Sequence, residues 1–184
     1  MGMRLFPSKP RGDPLQGVPN TMTCPSQPND IVENFTTLDQ DGNPVSLADF
    51  AKAPVVLFFY PRADTPGCTI EACSFRDAIT DLKAAGVTVL GISRDTVKAQ
   101  KKFSDKFSLQ YPLLADAEEK ICDYFGVIKP KNMYGKVVKG VQRNTYLIAS
   151  ADAQGQQRLL HVWNKVKPEG HAEEVLAYVR ALGR

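Results

Sequence analysis

Residues 55–73, VVLFFYPRADTPGCTIEAC, carry the strongest structural signals in the chain. Its first part, Val55 to Tyr60, is an unbroken run of branched and aromatic residues, which is typical of a strand buried on both faces. Prolines and a glycine interrupt residues 61–67 and predict a turn. A helix is expected from Thr69 to Ala85, because apolar residues recur along one face and Gly86 follows. That apolar stripe comprises Ile70, Cys73, Ala78, Ile79 and Leu82.

Strands and helices are expected to alternate along the rest of the chain. Further strands are predicted at 34–38 and 45–47, which flank an Asp-Gly hairpin signal, and at 87–92, 112–115, 145–148 and 158–163. Further helices are predicted at 96–107, 116–125 and 170–182, with a short helical turn at 46–50. This order is typical of an α/β fold. Because only a short turn joins the last two strands, they must be antiparallel, and the central sheet, flanked by helices, is therefore mixed.

The 184 residues divide into an N-terminal tail and one domain. Residues 1–29 are rich in proline, glycine, serine and asparagine and follow no periodic pattern, so a disordered or extended tail is expected. The basic residues in this tail leave organellar targeting open as an alternative. Residues 30–184 have the length and apolar content of a single domain with its own core.

Composition and charge argue against several classes of partner. The formal net charge of +3 is small and no segment concentrates it into a patch, so no nucleic acid partner is expected. No apolar run approaches the ~20 residues that cross a bilayer, which favours a cytoplasmic protein with no membrane partner. Four cysteines are too few for a disulfide scaffold. His161 and His171 lack the spacing of metal ligands, so no metal or cofactor is expected; His161 is interpreted as structural and His171 as exposed.

Cys68 lies at the first turn of the predicted helix, where free N–H groups and the positive end of the helix dipole meet. Such a position favours the thiolate, which is the nucleophilic form of cysteine. Pro61 stiffens the preceding turn, Gly67 lets the backbone approach the sulfur, and the Thr65 hydroxyl can donate to a thiolate or to a peroxide oxygen. A lone cysteine at a helix start is more often a small buried residue, so position alone does not establish catalysis.

PRADTPGC, residues 61–68, resembles the Pro-x-x-x-Thr-x-x-Cys signature of the peroxiredoxins. The continuation to Asp77 is similar to the Q-type branch of that family, also called bacterioferritin comigratory protein. NMYGK at 132–136 and RNTYL at 143–147 are similar to further family segments, and these stretches occur in the expected order. The resemblance extends from about residue 31 to the C-terminus. It implies a thioredoxin-like fold and a thiol peroxidase that reduces hydrogen peroxide and organic hydroperoxides.

By this resemblance, Cys68 is the peroxidatic cysteine, which the peroxide oxidises to a sulfenic acid. Thr65, Arg143 and Pro61 complete the implied catalytic site. A guanidinium beside the sulfur would favour the thiolate and polarise the peroxide oxygens. The residues alone are equally consistent with Arg143 as a surface charge before a strand.

Gly67 and Glu71 join Thr65 and Arg143 in the set of residues expected to contact the substrate. Two interpretations of Glu71 stay open. It either orients Arg143 and the helix start, or it is simply a favourable acid in the first turn of a helix.

The resemblance also assigns Cys73, since in Q-type relatives with this spacing the second cysteine resolves the sulfenic acid as an intramolecular disulfide. Five helical steps separate two Cα atoms by roughly 8 to 9 Å, whereas a disulfide needs about 4.4 to 6.8 Å. An intact helix cannot hold that bond, so its first turns are expected to unwind after oxidation. Core packing is the other interpretation of Cys73, and both hold if the residue is buried only when reduced. Cys122 is expected in the core and Cys24 in the tail, neither with a redox role.

The partners implied by the resemblance are a hydroperoxide substrate and thioredoxin or a similar dithiol reductant. A monomer is expected, because the Cys68–Cys73 pair needs no cysteine from a second subunit. Two other classes of protein stay open. A dithiol oxidoreductase of the thioredoxin type would use Cys-x-x-Cys, which this pair does not form. A peroxide sensor would use the same thiol for a single oxidation rather than for turnover.

Overall fold

The central strand β4 (Val55–Phe59) is buried along its whole length in the computed structural model, which describes residues 23–183. Its side chains alternate between two cores, as those of a strand must. Val56 and Phe58 lie in one core, and Val55, Leu57 and Phe59 lie in the other. The prediction of a strand buried on both faces is confirmed.

A mixed sheet of eight strands surrounds β4 in the described part of the chain. The other seven are β1 (Ile31–Val32), β2 (Thr36–Leu38), β3 (Pro44–Ser46), β5 (Thr88–Ser93), β6 (Leu113–Ala115), β9 (Asn144–Ile148) and β10 (Gln157–Trp163). Their order is β1-β10-β9-β4-β5-β6-β2-β3. Strands β4, β5 and β6 are parallel, and all other neighbours are antiparallel. The expected mixed sheet, with an N-terminal hairpin formed by β2 and β3, is therefore present.

Helices cover both faces of the sheet. They are α1 (Pro66–Ala84), α2 (Val97–Phe107), α3 (Lys120–Tyr124) and α4 (His171–Leu182), with a 3-10 turn at Leu47–Phe50. Helices α1, α2 and α4 contribute side chains to the core that contains Phe58, while α3 and the 3-10 turn contribute to the core that contains Phe59. Within residues 23–183, no helix combines the length and the apolar character that a membrane span requires.

The buried face of α1 differs from the predicted stripe. Ile70 is 43% exposed and Cys73 is only half-buried. Ile79 and Leu82 of the predicted stripe are buried as expected, and Ala78 packs against the same core. The other buried residues of α1 are Cys68, Glu71, Ala72 and Phe75. The prediction is wrong for Ile70 and Cys73, because α1 packs against both the sheet and α4, and because one inward position is the carboxylate of Glu71, which an apolar pattern does not count.

Helix α3 is shorter than the predicted helix at 116–125. Asp116 does not begin it; its carboxylate instead accepts hydrogen bonds from the N–H groups of Ile121 and Cys122, at 3.2 and 2.7 Å. An acidic side chain can thus satisfy the free amides of a helix that starts several residues further on.

A second, separate hairpin was not predicted. It consists of β7 (Ile128–Met133) and β8 (Lys136–Val141), joined by Tyr134 and Gly135, which both adopt positive φ. The hairpin carries four lysines and no acidic residue, namely Lys129, Lys131, Lys136 and Lys139. The expectation that positive charge is nowhere concentrated is therefore wrong for this segment.

Most of the expected tail, residues 1–22, lies outside the described residues. Of its last part, Pro25 is buried and Cys24 is half-buried next to Gly126. The Asn29 N–H donates a 2.8 Å hydrogen bond to the Leu159 carbonyl. Cys24 and Asn29 therefore contact the domain, while residues 26–28 are exposed.

Candidate active site

The loop that follows β4 leads directly into α1 and places Cys68 in its first turn. Thr65 is extended, Pro66 is the first helical residue, and the Thr69 N–H makes a 2.9 Å bond to the Thr65 carbonyl. The amides that precede Thr69 have no partner within the helix, as is general for a helix start. The Cys68 side chain is 1% exposed. Its sulfur is therefore buried beside the positive end of a helix dipole.

Strand pairing brings Arg143 to this sulfur. Because β9 runs antiparallel to β4 with Asn144 opposite Phe59, Arg143 lies beside the loop that leads to Cys68. Its Nη2 donates to Cys68 Sγ across 3.5 Å. Gly67 permits this approach, since a Cβ at that position would lie 3.1 Å from the same nitrogen. The predicted meeting of Cys68, Arg143 and Gly67 is observed.

Glu71 forms an ion pair with the other side of the guanidinium. Its Oε1 lies 3.0 Å from Arg143 Nη1, and the Glu71 side chain has no exposed surface. Burial raises the pKa of Glu71 from 4.5 to about 7, although Arg143 acts in the opposite direction. Burial also opposes the charge of Arg143, but Glu71 and Cys68 outweigh it and raise the pKa of the guanidinium. This contact is the one expected if Glu71 orients Arg143.

The raised pKa of Glu71 makes stability depend on pH. Between pH 4.5 and 7 the folded protein retains a proton that the unfolded chain has lost, so the free energy of unfolding falls as pH rises through this window. In Glu71→Gln, the decrease in the free energy of unfolding between pH 4.5 and pH 7.5 should be smaller by about 3 kcal/mol, as measured by urea unfolding at the two pH values. The matched control is Asp81→Asn, which removes an exposed carboxylate of the same helix. An unchanged pH dependence in Glu71→Gln would contradict the assignment.

Asp95 holds the loop before Cys68, and sequence reasoning missed it. Its carboxylate accepts from the Ala63 N–H at 2.7 Å and from the Ser93 hydroxyl at 2.6 Å. Since β4 and β5 are parallel neighbours, an acid just after β5 lies close to the loop that follows β4. A polar residue at the carboxyl end of a predicted parallel strand was the signal available in the sequence.

Thr65 is close to Cys68 in the chain, but its hydroxyl makes a different hydrogen bond from the predicted one. It donates to the Arg62 carbonyl at 2.8 Å. The hydroxyl proton is therefore committed to the backbone, while the oxygen keeps lone pairs that can accept a hydrogen bond.

A groove of about 390 Å³ adjoins the site, with Pro61 and Arg143 in its wall. The other lining residues are Lys129, Pro130, Lys131, Gly140, Val141, Gln142, Lys165 and Val166. The Val166 N–H also donates to the Arg143 carbonyl at 2.7 Å, which fixes the backbone of the arginine. The β7–β8 hairpin and the segment after β10 thus form the walls of a groove beside Arg143.

The other three cysteines occupy different environments. Cys73 is half-buried on α1, and burial raises the pKa of its thiol. Cys122 is fully buried, as predicted, and burial together with Asp116 raises the pKa of its thiol far above the ordinary value. Cys24 is half-buried, and burial raises its pKa as well. All four thiols, including Cys68, are free.

His161 is half-buried and His171 is buried. His161 contacts the rings of Trp163 and Tyr178, with centroid distances of 4.5 and 4.3 Å. His171 is 2% exposed and hydrogen-bonds Thr145 Oγ1 at 2.8 Å, so the expectation that it is exposed is wrong. Its position at the start of α4 suggested exposure, but its ring packs edge-to-face on Phe75 of α1, with centroids 5.8 Å apart. Across residues 23–183 no group of three or more His, Cys, Asp or Glu residues could hold a metal ion.

A buried thiol at a helix start, with a guanidinium directed at its sulfur, defines a thiol-based redox protein built on a mixed α/β sheet. The sequence pattern of the AhpC/TSA family matches residues 28–154. The chain belongs to this family, as a peroxiredoxin of the Q or bacterioferritin comigratory protein type.

Relatives and solved structures agree with this assignment. The putative peroxiredoxin bcp of Coxiella burnetii is 46% identical over 77% of this chain and 91% of its own length. The peroxiredoxin Bcp of Escherichia coli is 40% identical over 85% of this chain and 97% of its own. The structure of Xanthomonas campestris peroxiredoxin Q covers 82% of this chain and 92% of its own, with 37% identity and a TM-score of 0.74. These neighbours share the thioredoxin-like architecture that the resemblance implied.

Proposed function

We infer that the protein is a thiol peroxidase that reduces hydrogen peroxide and organic hydroperoxides, with Cys68 as the attacking sulfur. The observation that carries this inference is the 3.5 Å contact between Arg143 Nη2 and a Cys68 sulfur buried at the start of α1. The sulfur attacks one peroxide oxygen, the O–O bond breaks, and Cys68 becomes a sulfenic acid. The other oxygen leaves with a proton, as water or an alcohol. A Xanthomonas campestris relative studied for alkyl peroxide reduction supports the organic substrates.

Arg143 has two tasks in this proposal. Its charge favours the thiolate, and its donors stabilise the negative charge that develops on the leaving oxygen. Glu71 is a positioning residue, because it contacts the guanidinium and not the sulfur. Gly67 leaves the room that the guanidinium needs.

Thr65 and Pro61 act on the peroxide from the loop side. Since the Thr65 hydroxyl donates to the Arg62 carbonyl, its oxygen is directed to accept the O–H of the bound hydroperoxide. Pro61 lies in the wall of the adjoining groove and limits the conformations of the turn. Together they orient the peroxide for attack.

Cys73 resolves the sulfenic acid in this proposal. Its thiol attacks Cys68, a disulfide forms, and the sulfenic oxygen leaves as water. Both cysteines lie on the continuous helix α1, where five residues separate Cα atoms by roughly 8 to 9 Å. The bond therefore requires the first turns of α1 to unwind, because a disulfide spans less than about 7 Å.

A Cys73→Ser protein is expected to consume one equivalent of peroxide per chain and then stall. Without a resolving thiol, steady-state turnover with a thioredoxin system should fall about a hundredfold or more. Stopped-flow oxidation and mass spectrometry of the trapped sulfenic acid measure the two effects. Cys24→Ser, which removes a half-buried cysteine from another segment, is the matched control and should turn over normally. Full turnover by Cys73→Ser would exclude this cysteine as the resolving residue.

The reductant in the proposal is thioredoxin or a similar dithiol protein, which attacks the exposed disulfide of the unwound segment. Repeated turnover with purified thioredoxin, thioredoxin reductase and NADPH tests this step. A single stoichiometric oxidation under the same conditions would favour a peroxide sensor instead.

The proposal also includes a cytoplasmic monomer. One chain holds both Cys68 and Cys73, so the cycle needs no second subunit. A reducing compartment would keep the thiols reduced between catalytic cycles. Analytical ultracentrifugation of the reduced and oxidised protein tests the monomer.

A further inference from the structure

Tyr111 ties the resolving turn of α1 to the rest of the protein. Its hydroxyl donates a 2.6 Å hydrogen bond to the Ala72 carbonyl, the peptide group that immediately precedes Cys73. Tyr111 lies in the loop between α2 and β6, 39 residues away in sequence. The bond therefore joins the segment expected to unwind to a part of the fold that stays in place.

The side chain of Tyr111 is buried and packs against the central strand β4. Its side chain is 4% exposed, and its ring meets the ring of Phe58 edge-to-face with centroids 5.8 Å apart. Phe58 belongs to the buried central strand β4. The hydroxyl is thus presented to α1 by a rigid support.

The next turn of α1 is anchored more firmly. The buried ring of Phe75 stacks on Phe58 with centroids 4.6 Å apart. The Arg76 guanidinium donates to the Phe107 carbonyl at the end of α2, at 2.7 Å. Unwinding that reaches Cys73 can therefore stop before Phe75, and the Tyr111 bond to Ala72 lies within the part that must open.

We propose that Tyr111 is a positioning residue for the resolving step, and that its bond to Ala72 holds Cys73 in the helix and so limits disulfide formation. The inference rests on the proposed role of Cys73. It goes beyond that role, because it states that the hydrogen bond from the buried Tyr111 hydroxyl slows the unwinding of α1.

The sulfenic acid of Cys68 has two fates, and the bond selects between them. In the first, the Cys73 thiol forms the disulfide and releases water. In the second, another hydroperoxide transfers an oxygen to the sulfenic sulfur, which becomes a sulfinic acid while the peroxide leaves as water or alcohol. While α1 stays helical the disulfide cannot form, so the sulfenic acid has more time to react with a second hydroperoxide.

Tyr111→Phe removes the hydroxyl but keeps the ring that packs on Phe58. If disulfide formation follows the unwound population, its rate constant should rise about fivefold, the factor that one such hydrogen bond contributes. The peroxide concentration that converts half of Cys68 to sulfinic acid should rise by the same factor. Stopped-flow fluorescence of the single tryptophan, Trp163, follows the first quantity, and intact-protein mass spectrometry follows the second.

Tyr146→Phe is the matched control. Tyr146 is equally buried. Its hydroxyl donates to the Phe125 carbonyl and accepts from Asn144 Nδ2, each at 3.2 Å, and both partners lie outside α1. Tyr146→Phe should therefore lose at least as much stability as Tyr111→Phe. Only Tyr111→Phe should speed disulfide formation, and only there should hydrogen exchange of residues 69–74 rise about fivefold in the reduced protein.

Equal effects of the two substitutions would reduce Tyr111 to a structural residue and overturn the proposal. An unchanged rate of disulfide formation in Tyr111→Phe would also overturn it. The initial oxidation of Cys68 by peroxide should be unchanged in both variants, which shows that the reacting site is intact. Cys73→Ser separates the two hypotheses. If the Cys73→Ser protein still forms a disulfide and turns over, the resolving role of Cys73 is wrong. If it stalls while Tyr111→Phe forms the disulfide at the rate of the parent protein, only the role of Tyr111 is wrong.

Discussion

Cys68→Ser should lose peroxide turnover by at least about a thousandfold, the largest effect expected of any single substitution in this chain. A serine hydroxyl does not ionise at neutral pH, and its oxygen cannot accept an oxygen atom from a peroxide. Neither the amides of α1 nor Arg143 can restore a nucleophile that is absent. The measurement is hydrogen peroxide consumption in a coupled thioredoxin assay, together with direct titration of the reduced protein by peroxide.

Cys122→Ser is the control for that experiment. It removes a fully buried thiol that lies in the core on the other side of the sheet. We expect a change in stability, because a hydroxyl replaces a buried sulfur, but rapid oxidation of Cys68 should persist. Near-normal turnover by Cys68→Ser would refute the proposed mechanism.

Arg143→Met should lower the rate constant for Cys68 oxidation by about a hundred- to a thousandfold. The substitution removes the cation 3.5 Å from the sulfur, and with it both the support for the thiolate and the donors for the leaving oxygen. Arg143→Lys should recover only part of the loss, because a lysine cannot contact Glu71 and Cys68 with one planar fork. Stopped-flow oxidation with hydrogen peroxide, across a range of pH, measures both variants.

Loss of the arginine also affects the buried carboxylate. Burial raises the pKa of Glu71 to about 7 even with Arg143 present, and loss of the arginine should raise it further. The carboxyl group should therefore become protonated at neutral pH rather than carry an unpaired charge. The double variant Glu71→Gln, Arg143→Met should therefore be as inactive as Arg143→Met itself. Arg158→Met, which breaks a surface pair with Asp152, is the matched control and should oxidise at the normal rate. A small effect in Arg143→Met would show that the helix amides alone activate the sulfur.

The amino-acid sequence identifies the reacting groups but not all of their contacts. Cys68, Gly67 and Arg143 meet as the family resemblance implied, because the signature and the strand order together place them at one end of β4. The hydrogen bond of Thr65 differs from expectation, since a hydroxyl takes whichever acceptor the loop presents. Asp95 was missed because its contact depends on how two parallel strands align.

The β7–β8 hairpin shows where local pattern fails. Its strands are exposed on both faces over most of their length, so apolar and polar residues do not alternate. Pro130 argues against a strand, and a Tyr-Gly turn is a weaker hairpin signal than Asn-Gly. Pairing between the two strands, rather than burial, specifies this element.

The order of strands and helices, the reactive cysteine and the family follow from the chain alone, because each depends on residues close together in sequence. The burial of Glu71, the approach of Arg143 to the sulfur and the Tyr111 bond to Ala72 follow only from the folded molecule. Those contacts join residues 39 to 75 positions apart. Their distances are set by how the sheet, α1 and the loops pack, and no periodicity in a local segment records that packing.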